Sequence, residues 1–216
     1  MSFNLKRLLL VAGASVAALA VGVSAATAAA TPFKVTAGGV STGVAKFNGA
    51  ATSTSSAPAL VFKNLASGAL IQCLASVNAG TVNLGAQPGP NMAQILSSGY
   101  NGCSISAPLP PPVTLTHVGT WIFNAISETG GVTTAVVSGI NLNVNNGPCV
   151  FNLVGSADAT YTNASQRLAF APAGHLLTVS APSAGCAGAW VAGQPVSFQT
   201  PIPYLITTNL GPLVII

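Results

Sequence analysis

Apolar and polar residues alternate with a period of two along many short runs of the chain. The run Ile140–Val144 places asparagine between its apolar residues, and Val113–Thr116 alternates with threonine. In Ile71–Asn78 the same pattern assigns one set of positions to the inward face, namely Ile71, Cys73, Ala75 and Val77. Because successive side chains of a strand point to opposite faces, these runs predict half-buried β-strands.

Further strands are predicted where short apolar or β-branched runs are bounded by turn residues. These runs are Phe33–Ala37, Gly43–Asn48, Leu60–Lys63, Thr81–Leu84, Gly119–Ile126, Thr133–Val137, Val150–Val154, Ala157–Tyr161, Leu176–Ser180 and Val196–Thr200. Pairs such as Gly130–Gly131 and Asn101–Gly102 separate them and supply the positive φ that tight turns need. The pattern predicts an all-β fold, an antiparallel β-sandwich or a barrel-like domain.

Three segments are interpreted separately. One helical turn is predicted at Asn91–Leu96, and Pro108–Pro112 is predicted to form a polyproline-type bridge. The tail Tyr204–Ile216 is predicted to be an edge strand, which packs on the domain or pairs with another subunit.

The four cysteines flank a central stretch, Gly119–Val144, which contains two strand-like runs joined by the turn-rich segment Ser127–Gly131. Three disulfide connectivities are open to four cysteines. We favour two bridges, Cys73 with Cys103 and Cys149 with Cys186, because each half then has a cysteine-bearing strand and a closing cysteine preceded by glycine. This pattern is a weak internal duplication whose halves meet near residues 108–118. Each bridge would close a loop of thirty or more residues and contribute about 3 to 4 kcal/mol by the loop-entropy argument.

The first residues of the chain have the features of a secretory signal peptide. Lys6 and Arg7 precede an uncharged apolar run, Leu8–Val23, and Ala26-Thr27-Ala28 has the small-x-small form of a cleavage site. The sequence therefore predicts a signal peptide over residues 1–28 and one secreted β domain over residues 29–216. Paired cysteines agree with export to an oxidising compartment, either extracellular or at the cell envelope.

Charged residues are scarce, with six Lys and Arg against two Asp and Glu in the whole chain. Removal of Lys6 and Arg7 with the signal leaves four positive and two negative side chains, a net charge of +2. Nucleic-acid binding requires clustered cations, so we predict no nucleic-acid partner. A surface of Ser, Thr, Asn, Gln and Gly suits an exported wall protein, a self-assembling layer or a barrel with a lipid-facing belt.

Candidate catalytic chemistry is limited to four side chains of the secreted part, His117, His175, Asp158 and Glu128. Asp158, His175 and a serine could form a triad, but serine is too abundant for that match to be specific. We interpret His117 as a strand-surface residue and His175 as a turn residue, and the two carboxylates do not predict a glycosidase. No catalytic residue, cofactor or metal site is predicted.

Aromatic side chains offer one candidate binding surface. Trp121 and Trp190 could stack on sugar rings if they are exposed, although Trp121 shares a strand face with Phe123 and we favour a core position for it. Asn163-Ala164-Ser165 matches the glycosylation acceptor pattern, to which we give little weight.

Several motifs follow one another in a recognisable order over roughly Ala69–Phe198. They are Leu70-x-x-Cys73, Gly102-Cys103, Gly119-Thr120-Trp121, Gly130-Gly131-Val132, Gly147-Pro148-Cys149 and Gly185-Cys186-Ala187-Gly188. In this order the chain resembles a family of secreted actinobacterial proteins. The resemblance implies export, β structure, paired cysteines and an envelope rich in wall polymers, and it carries over no site.

The sequence as a whole predicts an exported, non-enzymatic protein of the cell envelope or the extracellular space, with a structural or surface-interaction role. Its expected partner is a cell-wall polymer or a second copy. The alternatives are a glycan-binding module, an outer-membrane-type β-barrel or pore and, last, a small hydrolase.

Overall fold

The computed structural model of the chain describes residues 32–106, 109, 112–171 and 174–216. The predicted signal peptide lies outside these residues. Seventeen strands and one 3-10 helix, Ala184–Cys186, are present in the described part. The strands are β1 Phe33–Ala37, β2 Val44–Thr52, β3 Leu60–Asn64, β4 Leu70–Cys73, β5 Ala75–Asn83, β6 Gly85–Gln87, β7 Ala93–Asn101, β8 Ser104–Ile105, β9 Thr114–His117, β10 Trp121–Thr129, β11 Val132–Asn146, β12 Cys149–Thr162, β13 Arg167–Ala171, β14 Leu177–Ser180, β15 Pro195–Gln199, β16 Tyr204–Thr208 and β17 Leu213–Ile215.

Eight of the strands close into an antiparallel barrel. They follow one another in the order β12, β13, β16, β2, β5, β7, β10 and β11, and β11 pairs again with β12. Closure removes the free edges that an open sheet of these strands would expose. The predicted all-β, barrel-like fold is therefore confirmed.

Strands β11 and β12 are long enough to belong to two structures at once. One half of each strand completes the barrel, and the other half continues into a sheet ordered β9, β11, β12, β14, β15, β3, β4 and β8. The pairing shifts between Val137 and Ile140, and Gly139 there has a φ of 70°. The sequence predicted two strands in each of these segments, whereas the structure joins each pair through a glycine-bearing irregularity.

A third sheet is formed by β17, β1 and β6, and we call it the cap sheet. Leu213 and Ile215 of β17 line an internal cavity together with Phe47 and Ile206 of the barrel wall. The cap sheet therefore contributes its apolar side chains to the barrel core.

Both predicted disulfides are present, Cys73–Cys103 and Cys149–Cys186, with sequence separations of 30 and 37 residues. All four cysteines are paired, and Cys73 and Cys149 are fully buried. The predicted duplication stays a prediction. The proposed meeting point of its halves includes positions 108, 110 and 111, which lie outside the described residues together with most of the predicted polyproline bridge.

Two predictions of local structure are wrong, and a third, for the tail, is confirmed only in part. The segment Asn91–Leu96 leads into β7 instead of forming a helical turn, because Ala93–Ile95 pairs with β5 and β10. The alternation over Ile71–Asn78 is interrupted at Leu74, which separates β4 from β5, so that Val77 is 56% exposed and its polar neighbours are buried. The tail Tyr204–Ile216 forms two strands, of which β16 lies inside the barrel sheet and only β17 lies at the edge of a sheet.

Candidate functional site

The barrel interior changes from apolar to polar along its strands. Along β5, Val82 faces a small cavity of about 40 Å³ whose lining is wholly apolar. Farther along the same face come Asn78 and Ser76, which are buried polar residues. On β16, which is separated from β5 by β2, Ile206 and then Tyr204 repeat the change. The cavity is much smaller than the several hundred cubic ångströms that ligand pockets occupy.

Tyr204 organises the polar end of the interior. Its hydroxyl donates to Ser76 Oγ at 2.8 Å, and its ring meets Phe170 edge to face. Burial raises the pKa of Tyr204 to about 12, although the Ser76 and Asn78 side chains partly oppose this. The phenol therefore stays neutral and can donate at all ordinary pH values.

A seam lies beside this polar end, between Ser97–Asn101 of β7 and Thr114–His117 of β9. Strand β10 pairs with β7 only over Ala93–Ile95, and farther along β7 its place is taken by β9. Among the described residues no backbone ladder joins β7 to β9. Instead, side chains from the two strands meet across the seam.

The central contact of the seam joins Ser98 to His117. Ser98 Oγ lies 3.1 Å from Nδ1 of His117, and Nε2 of the same ring lies 2.8 Å from the carbonyl oxygen of Gly119. A carbonyl oxygen can only accept, so Nε2 carries the hydrogen. In the neutral imidazole Nδ1 is then the acceptor, and the hydroxyl of Ser98 donates to it. Both side chains are partly exposed.

Two aromatic residues complete the seam. Trp121 stacks on the His117 ring with centroids 4.5 Å apart and holds it in place. Tyr100 lies two residues from Ser98 on the same face of β7, so the two side chains are neighbours. Burial, and secondly the nearby Tyr204, raise the pKa of Tyr100 well above its usual value, so this phenol also remains a neutral donor.

The other histidine, His175, contacts Asp158 where the loop between β13 and β14 meets β12. Nδ1 of His175 lies 2.7 Å from one carboxylate oxygen of Asp158, and the His175 backbone N–H donates to the other oxygen at 2.8 Å. The structure thus brings together two members of the triad that the sequence made conceivable. Within the described residues no serine hydrogen-bonds to His175, and the pair fastens its loop to the barrel.

The other sequence-level candidates are engaged in structure. Glu128 accepts the backbone N–H of Gly131 at 2.6 Å and fixes the turn after β10. Trp121 and Trp190 are each only 1% exposed, so neither indole presents a face to a ligand. The described residues contain no group of three or more His, Cys, Asp or Glu that could hold a metal ion. None of the helices in the described part of the chain has the length and apolarity needed to cross a membrane.

Comparisons with protein-family models, with curated proteins and with solved structures find no match to this chain. The resemblance to secreted actinobacterial proteins therefore stays a prediction.

Sequence reasoning missed the seam. Ser98 and Tyr100 were assigned no role, and His117 was interpreted only as a surface residue. Because β9 takes the place of β10 beside β7, residues 19 positions apart become neighbours. A search for local sequence motifs does not reveal such an exchange of neighbouring strands. The i, i+2 spacing of Ser98 and Tyr100 was the one available signal, since it puts both side chains on one face of a strand.

Proposed function

We propose that the protein is exported and works at the cell envelope or in the extracellular space through its outer surface, as a structural or surface-interaction component. Two disulfides are consistent with an oxidising compartment. The barrel interior is occupied by side chains and leaves a cavity of only about 40 Å³. A partner would therefore bind to the outer surface of the sheets.

One observation carries the proposal, a row of small and apolar residues on the outer face of the barrel. Register places Leu205 beside Ala50, Ala50 beside Val77, and Val77 beside Gly99, so the row crosses four neighbouring strands. Leu205 is 43% exposed and Val77 is 56% exposed. An exposed apolar row of this kind is typical of a surface that meets another macromolecule.

The row favours a second copy of the chain over a wall glycan as the partner. Sugar recognition relies on exposed aromatic faces, and both tryptophans are buried. Two copies of a chain with so few charges would approach each other with little electrostatic repulsion. The outer face of β2 carries the polar residues Lys46, Asn48 and Thr52 as well as Val44 and Ala50. These polar residues support an outer surface that faces water more than one that faces lipid.

Fractionation of the producing cells tests export. Culture fluid, wall pellet and detergent extract are probed separately, and intact mass determines the cleavage site and the absence of four thiol hydrogens. We expect a cleaved, oxidised protein outside the cytoplasm. An uncleaved protein recovered in the cytoplasm with free thiols contradicts the proposal.

Sedimentation of the purified protein tests the outer row. Val77→Lys and Leu205→Lys each place a charge in the row, whereas the control Asn48→Lys places the same charge on the next row of the same face. We expect association that is weakened at least tenfold by the first two substitutions and is nearly unchanged by the third. A monomer at all concentrations, or equal effects of the three lysines, contradicts the assignment of the row to self-association.

A further inference from the structure

The seam between β7 and β9 combines the three parts that an activated serine requires. A hydroxyl is hydrogen-bonded to an imidazole nitrogen, the opposite nitrogen is oriented by a fixed acceptor, and a neutral donor lies beside the hydroxyl. They correspond to a nucleophile with its general base, to the group that orients the base, and to a donor that can stabilise developing negative charge. We propose that Ser98 is a nucleophilic serine activated by His117, and that it accepts acyl groups from uncharged esters. This inference is independent of the surface-interaction role proposed above.

The tautomer of His117 is the first step of the argument. In a catalytic triad a carboxylate fixes the tautomer and the orientation of the histidine. Here the backbone carbonyl of Gly119 has that role, because it accepts a hydrogen bond from Nε2 and keeps the hydrogen there. Nδ1 is thereby left with a lone pair directed at Ser98 Oγ. The stacked Trp121 ring restricts rotation of the imidazole, so the pair is held in place before any substrate arrives.

The reaction can be written from these atoms. Ser98 Oγ attacks the ester carbonyl carbon and gives its proton to Nδ1 of His117. The bond from the carbonyl carbon to the leaving oxygen breaks, and the proton passes to that oxygen, which departs as an alcohol. Water then attacks the acyl-serine by the same route, releases the carboxylic acid and restores the hydroxyl. Tyr100, the neighbour of Ser98 on the same face of β7, is a neutral donor that would stabilise the negative charge developing on the carbonyl oxygen of the ester.

The surroundings of the seam set the substrate class. Ser98, Tyr100 and His117 carry no formal charge when the imidazole is neutral. Exposed Leu96 of β7 and exposed Val118, which directly follows β9, adjoin the seam. Such surroundings suit an uncharged ester with an aliphatic acyl group. A carbonyl stabilises the imidazolium less than a carboxylate does. We therefore expect slow turnover and an accumulating acyl-serine.

Labelling with a fluorophosphonate ester tests the proposal on the full, oxidised protein. The reagent phosphorylates activated serines, and peptide mass mapping locates the modified residue. We expect Ser98 to be labelled faster than any other serine, and p-nitrophenyl butyrate to give a burst of about one equivalent. Ser97 is the internal control, because it lies next to Ser98 on the opposite, exposed face of the same strand.

Variants separate a catalytic role from a structural one. Ser98→Ala should abolish both the label and the burst, and His117→Gln should slow labelling by about a hundredfold, as expected for loss of a general base. Ser97→Ala and His175→Gln should leave the rate unchanged. The melting temperature of each variant shows whether it is folded.

Two results overturn the proposal. Equal labelling of Ser97 and Ser98 in the unsubstituted protein would show that Ser98 has an ordinary, unactivated hydroxyl. This comparison does not depend on the folding of any variant. A folded His117→Gln protein that is labelled at the original rate shows that the histidine only bridges the seam.

Discussion

At the residue scale, two side-chain amides take the place of a strand. Asn163 Nδ2 donates to the Ile215 carbonyl at 2.7 Å, and the Ile215 N–H donates to Asn163 Oδ1 at 3.0 Å. Gln166 makes the same pair of bonds with Leu213 at 2.9 and 2.8 Å. The other edge of β17 pairs with β1, so both edges of this strand are satisfied. An edge that is covered in this way offers no template to another chain.

Asn163→Ala should loosen the end of the chain. Two hydrogen bonds of Ile215 are lost, and we expect the free energy of unfolding to fall by about 1 to 3 kcal/mol. Amide exchange at Leu213 and Ile215 should accelerate more than exchange in β12. Ser165→Ala is the matched control, because this exposed residue lies in the same turn and its loss also removes the glycosylation acceptor pattern. Equal exchange rates in the two variants would show that the amide does not hold the strand.

The roles of individual residues could be predicted from the sequence only in part. Asn163 was noticed for a modification pattern, and its structural role depends on β17, which lies 52 residues away. Tyr100 and Tyr204 lie 104 positions apart in the sequence, yet in the structure Tyr204 is close enough to help raise the pKa of Tyr100. The disulfides, by contrast, were predicted correctly, because the spacing and turn context of the cysteines were local enough to be seen.

At the element scale, glycine decides how close two strands can approach. The pairing of β5 with β7 shifts between Ala79 and Gly80, where β7 carries one extra residue. A Cβ at Gly80 would collide with the carbonyl oxygen of Gln94, and it would lie 2.7 Å from Cζ of Phe47. The bulge that displaces β7 therefore depends on a position without a side chain.

Gly80→Ala should be strongly destabilising, and we expect a loss of at least about 3 kcal/mol because one of the clashing atoms belongs to the backbone. Gly99→Ala serves as the control on β7. There a Cβ meets only the exposed Val77 side chain, at 3.1 Å, and this side chain can move. Denaturation in urea measures both variants. A Gly80→Ala protein as stable as Gly99→Ala would show that the bulge can move elsewhere.

Strands could be predicted from the sequence where one face is buried and the other is exposed to solvent. The strands β1 and β3 were found nearly to the residue, because each has clear turn signals at its ends. The alternation failed at Leu74, since β4 and β5 belong to different sheets and a single linking residue reverses the inward face. Such a reversal is set by tertiary pairing, which a periodicity search cannot detect.

At the scale of the whole molecule, the disulfides fasten the parts that the barrel closure leaves outside. Cys149 begins β12 and is bonded to Cys186 in the 3-10 helix, while Cys73 ends β4 and is bonded to Cys103 beyond β7. Both bridges therefore secure the second sheet, whose outer strands approach each other where Val113 donates to the Cys103 carbonyl. The barrel itself is closed by hydrogen bonds.

Replacing Cys149 and Cys186 together by serine should lower the free energy of unfolding by about 2 to 4 kcal/mol, given the 37-residue separation. Hydrogen exchange should increase in β14 and β15 before it increases in β2 and β5, because the latter lie in the closed barrel. Addition of reductant to the unmodified protein provides a comparison without mutation. Uniform acceleration across all strands would mean that the barrel and the second sheet unfold as one unit.

The alkaline limit of stability is also a property of the whole molecule, because all three tyrosines have a raised pKa. Burial is the main cause at Tyr100, Tyr161 and Tyr204, and the pKa of Tyr204 is about 12. Below about pH 10 the phenols are protonated in both the folded and the unfolded chain. Above that pH the unfolded chain releases protons that the folded chain still holds. Stability should therefore fall by about 1.4 kcal/mol per pH unit for each such phenol.

Urea unfolding between pH 8 and pH 11.5 measures this fall, and Tyr204→Phe isolates one phenol. The variant should be less stable at pH 8, since Ser76 loses its partner, but its stability should decline less steeply above pH 10. The two proteins differ only in this hydroxyl, so the difference in slope belongs to Tyr204 alone. Two outcomes would contradict this prediction: parallel slopes for the two proteins, or phenolate absorbance in the folded protein at pH 10 equal to that of free tyrosine. Either would mean that water reaches the polar end of the barrel and the contact between Tyr204 and Ser76.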